Sequence, residues 1–414
     1  MTTAAISTPV TERPAHRDGN VLRWLSAYTA SMVGDSVYFL ALSWAATRSG
    51  SPAQAGLVLA VGAVPRAALM LGGGVVADRF GPRRVVIGSD AVRCAVILAV
   101  TVLLLVSTPG IWPLAALALV FGAVDALFLP SVGALPPRIT APGQLGRVQG
   151  MRGLAQRVAT VTGAPLGGLA VAAGGPVAGF GAAGALFAVS LVLLLAVRVR
   201  DLAPDEAAGR TEPARRQLVD GLRYIRGHRV LAPLVVTAAV VELGFTGPAN
   251  IGLVLLAEER GWGATGQGWM LAGFGVGAGC AALLIAVRGR VPRAGLVLSW
   301  AVIGGSVALG AIAFVPSVVT ATAAGLCVGL LTGLGGAVIG TLVQTVTDPA
   351  YLGRVTSVFT FFTVGVAPLS YPVAGAAIGA WGAGPVFAAS AALSAAGGVI
   401  GLCARSLRRA ELPR

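Results

Sequence analysis

The sequence predicts an all-α membrane protein with twelve transmembrane helices in two pseudo-symmetric six-helix bundles. Three observations carry that expectation. Hydrophobic residues fill 56% of the 414 positions, only 11% are charged, and mean hydropathy is +0.84. Soluble domains do not have that composition, and the apolar runs repeatedly reach the ~20 residues that cross a bilayer. The charge is also one-sided: every basic residue is an arginine, and all but five of the 30 lie in or at the edge of alternate segments between the runs, as on a positive cytoplasmic face. Finally, PGQLGRV (142–148) returns as PAYLGRV (349–355), an offset of 207 (349 minus 142), so one half of the chain repeats the other.

Taken in order, the apolar runs place spans at 22–47, 53–77, 85–106, 111–135, 148–172 and 176–197, then at 230–257, 264–287, 294–315, 317–342, 353–376 and 383–403. The first 20 residues are polar and show no short apolar core with a cleavage site, so residues 1–21 are expected to form a cytoplasmic tail rather than a signal peptide. The first six spans make an N-terminal bundle over 22–197. A linker over 198–229 carries eight arginines and places Leu218, Leu222 and Ile225 at helical spacing. That spacing predicts an amphipathic helix on the inner membrane surface or a solvated linker helix. The C-terminal bundle covers 230–403, and 404–414 form a second cytoplasmic tail. In this orientation only Arg48 and Arg260 occupy outer loops, while Arg66, Arg93 and Arg157 lie within spans.

A net charge of +14 would point to nucleic acid in a soluble protein, but here the arginines report topology. Cys94, Cys280, Cys327 and Cys403 fall in or at the end of apolar runs without a CxxC spacing, and read as small packing residues rather than disulfide or metal ligands. No metal site or cofactor is expected. There is no GxSxG or HExxH, and His16 and His228 lie in cytoplasmic segments. A membrane-embedded enzyme or scaffold is therefore the remote reading.

One stretch between spans 2 and 3, GGGVVADRFGPRRVV (72–86), is dense in charge. Its Gly74, Asp78, Arg79, Gly81, Arg83 and Arg84 resemble the signature of the major facilitator superfamily, a Gly, three residues, Asp-Arg, one residue, Gly and then basic residues, with Pro82 replacing the first basic position. The resemblance covers nearly the whole chain. It implies a transporter whose substrate site lies where the halves meet near mid-membrane, and a role for this cluster in latching the halves on the cytoplasmic side. A worn copy, RGRVPR (288–293), lacks the acid. In span 5, GAPLGG supplies Gly163, Pro165, Gly167 and Gly168, similar to the Gly-Pro element of proton-coupled exporters with its proline displaced by one. Close packing and a kink are its physical content. GFGVGAG (273–279) lies in an apolar run with no preceding strand and reads as helix packing, not a dinucleotide loop.

Charges inside spans are costly and mark function or pairing. Asp35 and Glu242 are 207 apart (242 minus 35), the offset of the loop repeat, and each lies near mid-membrane by its distance from the nearest cytoplasmic arginine. Asp125 and Arg66 are also deep. Asp35 with Arg66 would make a static ion pair; alternatively a carboxylate exchanges its proton with substrate. Arg157 is a candidate partner for Asp125, and Asp90 with Arg93 reads as an i,i+3 pair or a snorkelling arginine at the inner end of span 3. Candidate apolar substrate contacts are Phe39, Trp44, Phe128 and Phe245.

Within the superfamily, GDSVYFLALSWAATRSGS (34–51), SDAVR (89–93) and DALFLPSVGALPPRI (125–139) resemble the macrolide-efflux and siderophore-exporter branch. That resemblance implies a proton-driven exporter of a lipophilic small molecule in the inner membrane, acting as a monomer. In it, Asp35, Glu242 and Asp125 would change protonation as the cavity alternates. Small-molecule substrate, protons and lipid are the expected partners, with no nucleic acid. A symporter importing a small polar nutrient fits the same fold.

Overall fold

The computed structural model describes residues 15–70, 80–107, 110–140, 142–199, 214–288, 292–348, 351–365 and 367–411. In the first half, α1 (Gly19–Ser49), α2 (Pro52–Met70), α3 (Pro82–Val106) and α4 (Ile111–Gly133) are followed by one long run, Leu145–Leu195. This run breaks at Gly174 and Gly175 into α5 (145–173) and α6 (176–195). Gly175 has φ of 67°, in the left-handed region that only glycine enters without strain, which lets the chain reverse there. In the second half come α7 (Leu231–Glu259), α8 (Gly263–Arg288), α9 (Ala294–Ile312), α10 (Val318–Val346), α11 (Leu352–Trp381, interrupted after Val364) and α12 (Ala383–Cys403). Each of the twelve spans expected from the sequence is thus met by a helix among the described residues, the end of the second, 71–77, lying outside them.

The duplication is visible in the backbone. Helices α5 and α11 begin at Leu145 and Leu352, and α6 and α12 each follow a positive-φ glycine, Gly175 and Gly382. Both pairs keep the offset of 207. Helix α1 begins at Gly19, earlier than expected, because Asp18 caps it by accepting a hydrogen bond from the Asn20 N–H at 2.8 Å.

Two seams join the halves, α2 against α11 and α5 against α8. Glycines allow the approach: a Cβ on Gly56 would lie 2.5 Å from the Tyr371 carbonyl oxygen, and one on Gly168 2.7 Å from that of Ala264. From the other side, Gly268 would meet the Ala164 carbonyl at 2.8 Å. These contacts lie at the end of the bundle remote from the linker. The GAPLGG stretch serves them: Gly163 and Gly167 fit against Ser36 and Val37 of α1, while Gly168 fits against α8. Gly273 and Gly275 of the second glycine-rich stretch pack on Thr322 and Val161, as small residues do between membrane helices.

The linker helix, Ala214–Gly227, docks on the start of α11 rather than lying free on a surface. Tyr224 stacks on Tyr351 with ring centroids 4.5 Å apart, its hydroxyl accepts from the Asp348 N–H at 3.1 Å, and Ile225 is buried. Leu222 stays exposed. The cysteines need a correction too. Only Cys94 is packed inward, whereas Cys280, Cys327 and Cys403 are exposed, because their helix faces point away from the bundle. Trp112 and Trp381 are exposed at the remote end, where a membrane interface favours indole rings.

Candidate functional site

Between the halves lies a cavity of about 490 Å³. Arg66, Asp125, Tyr38, Phe39 and Phe121 line it from the N-terminal half; Glu242, Phe245, Asn250, Gln267 and Tyr371 line it from the other. At the remote end, the Trp44 indole N–H donates to Gln267 Oε1 at 2.5 Å, linking α1 to α8. Trp44 is therefore buried in the seam and is not part of the cavity wall, contrary to the expectation for it. Phe39 and Phe245 do line the cavity.

The wall on the N-terminal side is backed by a charge cluster with Arg93 at its centre. Arg93 and Asp90 are both 0% exposed and Asp125 is 4% exposed. One Arg93 nitrogen donates to Asp125, and the other lies 3.5 Å from Asp90 and 3.6 Å from Asp35. Asp90 also accepts from the hydroxyls of Ser31 at 3.2 Å and Ser190 at 2.5 Å. The guanidinium lies over the Phe128 ring at 4.2 Å and near Phe187 at 5.6 Å, so a cation–π contact supplements the ion pairs. Arg66 approaches Asp125 from the cavity at 4.0 Å.

Several sequence expectations change here. Arg93 neither snorkels nor confines itself to Asp90, since α1, α3 and α4 all bring acids to it. Asp35 pairs with Arg93 rather than Arg66, one layer behind the cavity wall, and its Oδ1 has no hydrogen-bond partner. Asp125 pairs with Arg93 and Arg66 instead of Arg157, which faces Glu242's side of the gap. Phe128 is 1% exposed beneath the guanidinium, so it supports Arg93 and does not touch the cavity. The signal that could have found Arg93 was the run SDAVR itself: an arginine three residues after an acid, well inside an apolar helix.

Glu242 stands across the cavity from this cluster. It accepts a hydrogen bond from the Thr246 hydroxyl at 2.9 Å and has no ion pair among the described residues. One turn later α7 widens into a π-helical turn over Pro248–Gly252, where Pro248 lacks the N–H of a regular turn. Asn250 bonds back to the Thr246 carbonyl at 2.9 Å. Asp35, Asp90 and Asp125 are three acids facing two bases, Arg66 and Arg93, while Glu242 adds a fourth acid opposite.

Of the charged signature between α2 and α3, Gly74, Asp78 and Arg79 lie outside the described residues. Gly81 (φ 81°) opens α3, and Arg83 donates to the carbonyls of Leu195 and Val197 at 3.1 and 3.2 Å. Arg83 thereby caps the C-terminal end of α6, where carbonyls are unpaired and a cation is favoured. Arg83 and Arg84 line a groove near the linker end together with Arg23, Arg138 and Arg198.

A duplicated twelve-helix bundle with a charged cavity at the junction of its halves is the architecture of a secondary transporter. The Major Facilitator Superfamily profile matches residues 24–363, and the chain belongs to that family. It is 27% identical over 400 residues, 94% of both chains, to the multidrug efflux pump Tap of Mycobacterium tuberculosis. To the enterobactin exporter EntS of Escherichia coli it is 25% identical over 290 residues, 70% of this chain and 68% of that one. Among solved structures, the nucleoside transporter NupG superposes with a TM-score of 0.74 at 11% identity, covering 95% of this chain and 100% of that one. A bacterial homologue of the iron transporter ferroportin, in its inward-facing state, gives 0.66 at 16% identity over 93% and 98%. The chain is a multi-pass membrane transporter, not an enzyme.

Proposed function

We propose that the chain is a proton-driven exporter of lipophilic cations, working by alternating access in the cytoplasmic membrane with both termini inside. The observation that carries this reading is the surplus acid in the buried cluster around Arg93. Three carboxylates share two arginines at the cavity wall, and a low-dielectric site neutralises such an excess by taking up a proton or a cation. Proton and cationic substrate then compete, and competition across an alternating cavity is antiport. Glu242, without a basic partner, offers the cation a direct contact. With the linker inside, the packed remote end is the outer end and the cavity is in its inward-facing arrangement. The names of the relatives, a multidrug efflux pump and a siderophore exporter, support export. No cofactor enters the mechanism, and energy comes from the proton gradient.

The test uses proteoliposomes with an acidic lumen and the membrane potential clamped to zero. An exporter of this type accumulates tetraphenylphosphonium inside them against its gradient. A symporter accumulates it only when the outer medium is the acidic side, and that result would overturn the reading.

A further inference from the structure

Behind Glu242 the central cavity continues into a second chamber of about 490 Å³, lined by α7, α8, α9, α10 and α11 and by Arg157 of α5. Glu242, Phe245, Phe274 and Thr363 line both spaces. The duplication explains where the chamber comes from. At the offset of 207, Asp125 of α4 corresponds to Thr332 of α10, and Phe128 to Gly335. Both of those counterparts line the chamber. The N-terminal half therefore fills this position with an acid and a phenyl ring, and the C-terminal half carries neither.

Open apolar space of this size is foreign to a packed interior. A further feature points to an occupant: Glu242, at the junction, has no ion pair among the described residues. We infer that the chamber is a subsite for the neutral apolar limb of a transported monocation whose charged head sits at Glu242. Arg157, the chamber's contribution from the opposite half, disfavours a second positive charge on that limb. This inference rests on the export reading only for the cationic nature of the substrate.

The probes are benzyltrimethylammonium, its naphthylmethyl homologue, and the bis-cation made by adding a second trimethylammonium-methyl group to the benzyl ring. Binding is measured on the full chain in nanodiscs, with empty nanodiscs subtracted. Burying the larger ring tightens binding by about tenfold in the wild type. A Cβ on Gly336 or Gly340 would meet nothing within 4 Å, so Gly336→Phe and Gly340→Phe fill the chamber without backbone displacement. Each variant is expected to erase the naphthyl increment and leave benzyl affinity within about twofold, as steric exclusion from one subsite requires. The bis-cation binds the wild type more weakly than its monocation and recovers in Arg157→Gln. An unchanged naphthyl increment in both filled variants overturns the chamber assignment, as does a wild type that binds the benzyl and naphthyl probes equally. If the wild type binds none of the probes, the cationic-substrate reading falls first and the chamber with it.

Discussion

Replacing Arg93 with methionine tests the cluster that organises the N-terminal half. Methionine keeps the length and most of the packing against Phe128 and Phe187, so the change is chiefly electrostatic. Three acids, Asp35, Asp90 and Asp125, lose their shared cation, and Arg66, at 4.0 Å from Asp125, is the only base left among the described contacts. Removing one partner of a buried ion pair costs about 3–5 kcal/mol because the orphaned charge stays buried. For a unit the size of one six-helix half, at ~2–4 °C per kcal/mol, that is a fall of roughly 6–20 °C in the melting temperature. A second change should return part of the loss. Asp90→Asn removes one orphan charge while Ser31 and Ser190 still offer hydrogen bonds, so the double variant is expected to recover about 1–3 kcal/mol, the range for residues in one network. Thermal unfolding of the purified protein in a single detergent reads both effects. A melting temperature for Arg93→Met within 2 °C of the wild type, or a double variant less stable than the single, would refute the reasoning.

Three further outcomes follow from other contacts. Phe128→Leu removes the ring beneath Arg93 and opens a small void, and should destabilise the protein by about 1–3 kcal/mol in the same thermal assay, although the side chain never reaches the cavity. Gly168→Leu cannot be accommodated beside the Ala264 carbonyl; at an overpacking cost of ~1–3 kcal/mol it should part the halves at the remote end, lowering the cross-linking yield of a cysteine pair placed at Pro52 and Gly379, where a Cβ on Gly379 would lie 3.4 Å from the Pro52 Cβ, in a cysteine-free background. Arg83→Met removes a helix-end contact worth roughly 0.3–1 kcal/mol and should lower the melting temperature slightly without changing the pH dependence of transport.

Much of the fold was legible in the sequence because a bilayer imposes a length and a polarity on each helix. The offset of 207 was equally legible, since a duplicated chain keeps its spacing. The helix ends were less so: α1 starts at Gly19 because of a side-chain cap on Asp18, which hydropathy does not register. At the site, the sequence supplied the residues but not their neighbours. Asp35 and Glu242 hold matching positions in the repeat, yet Glu242 faces the cavity and Asp35 turns to Arg93, because the helix that brings an arginine to α1 has no arginine in its C-terminal counterpart. Phe128 looked like a substrate contact for the same reason, since apolar aromatics read alike whether they face a ligand or a buried guanidinium. Only the packing of α3 against α1 and α4 separates the two.

The central claim is that a proton and a cationic substrate compete at the acids around Arg93 and at Glu242. It is tested most directly by adding benzyltrimethylammonium to the purified wild type in weakly buffered solution containing a pH indicator. Proton release that saturates with the binding curve and is reduced in the Asp35→Asn, Asp125→Asn double variant, in which Glu242 remains, is the predicted result. Binding without proton release in the wild type would contradict the account.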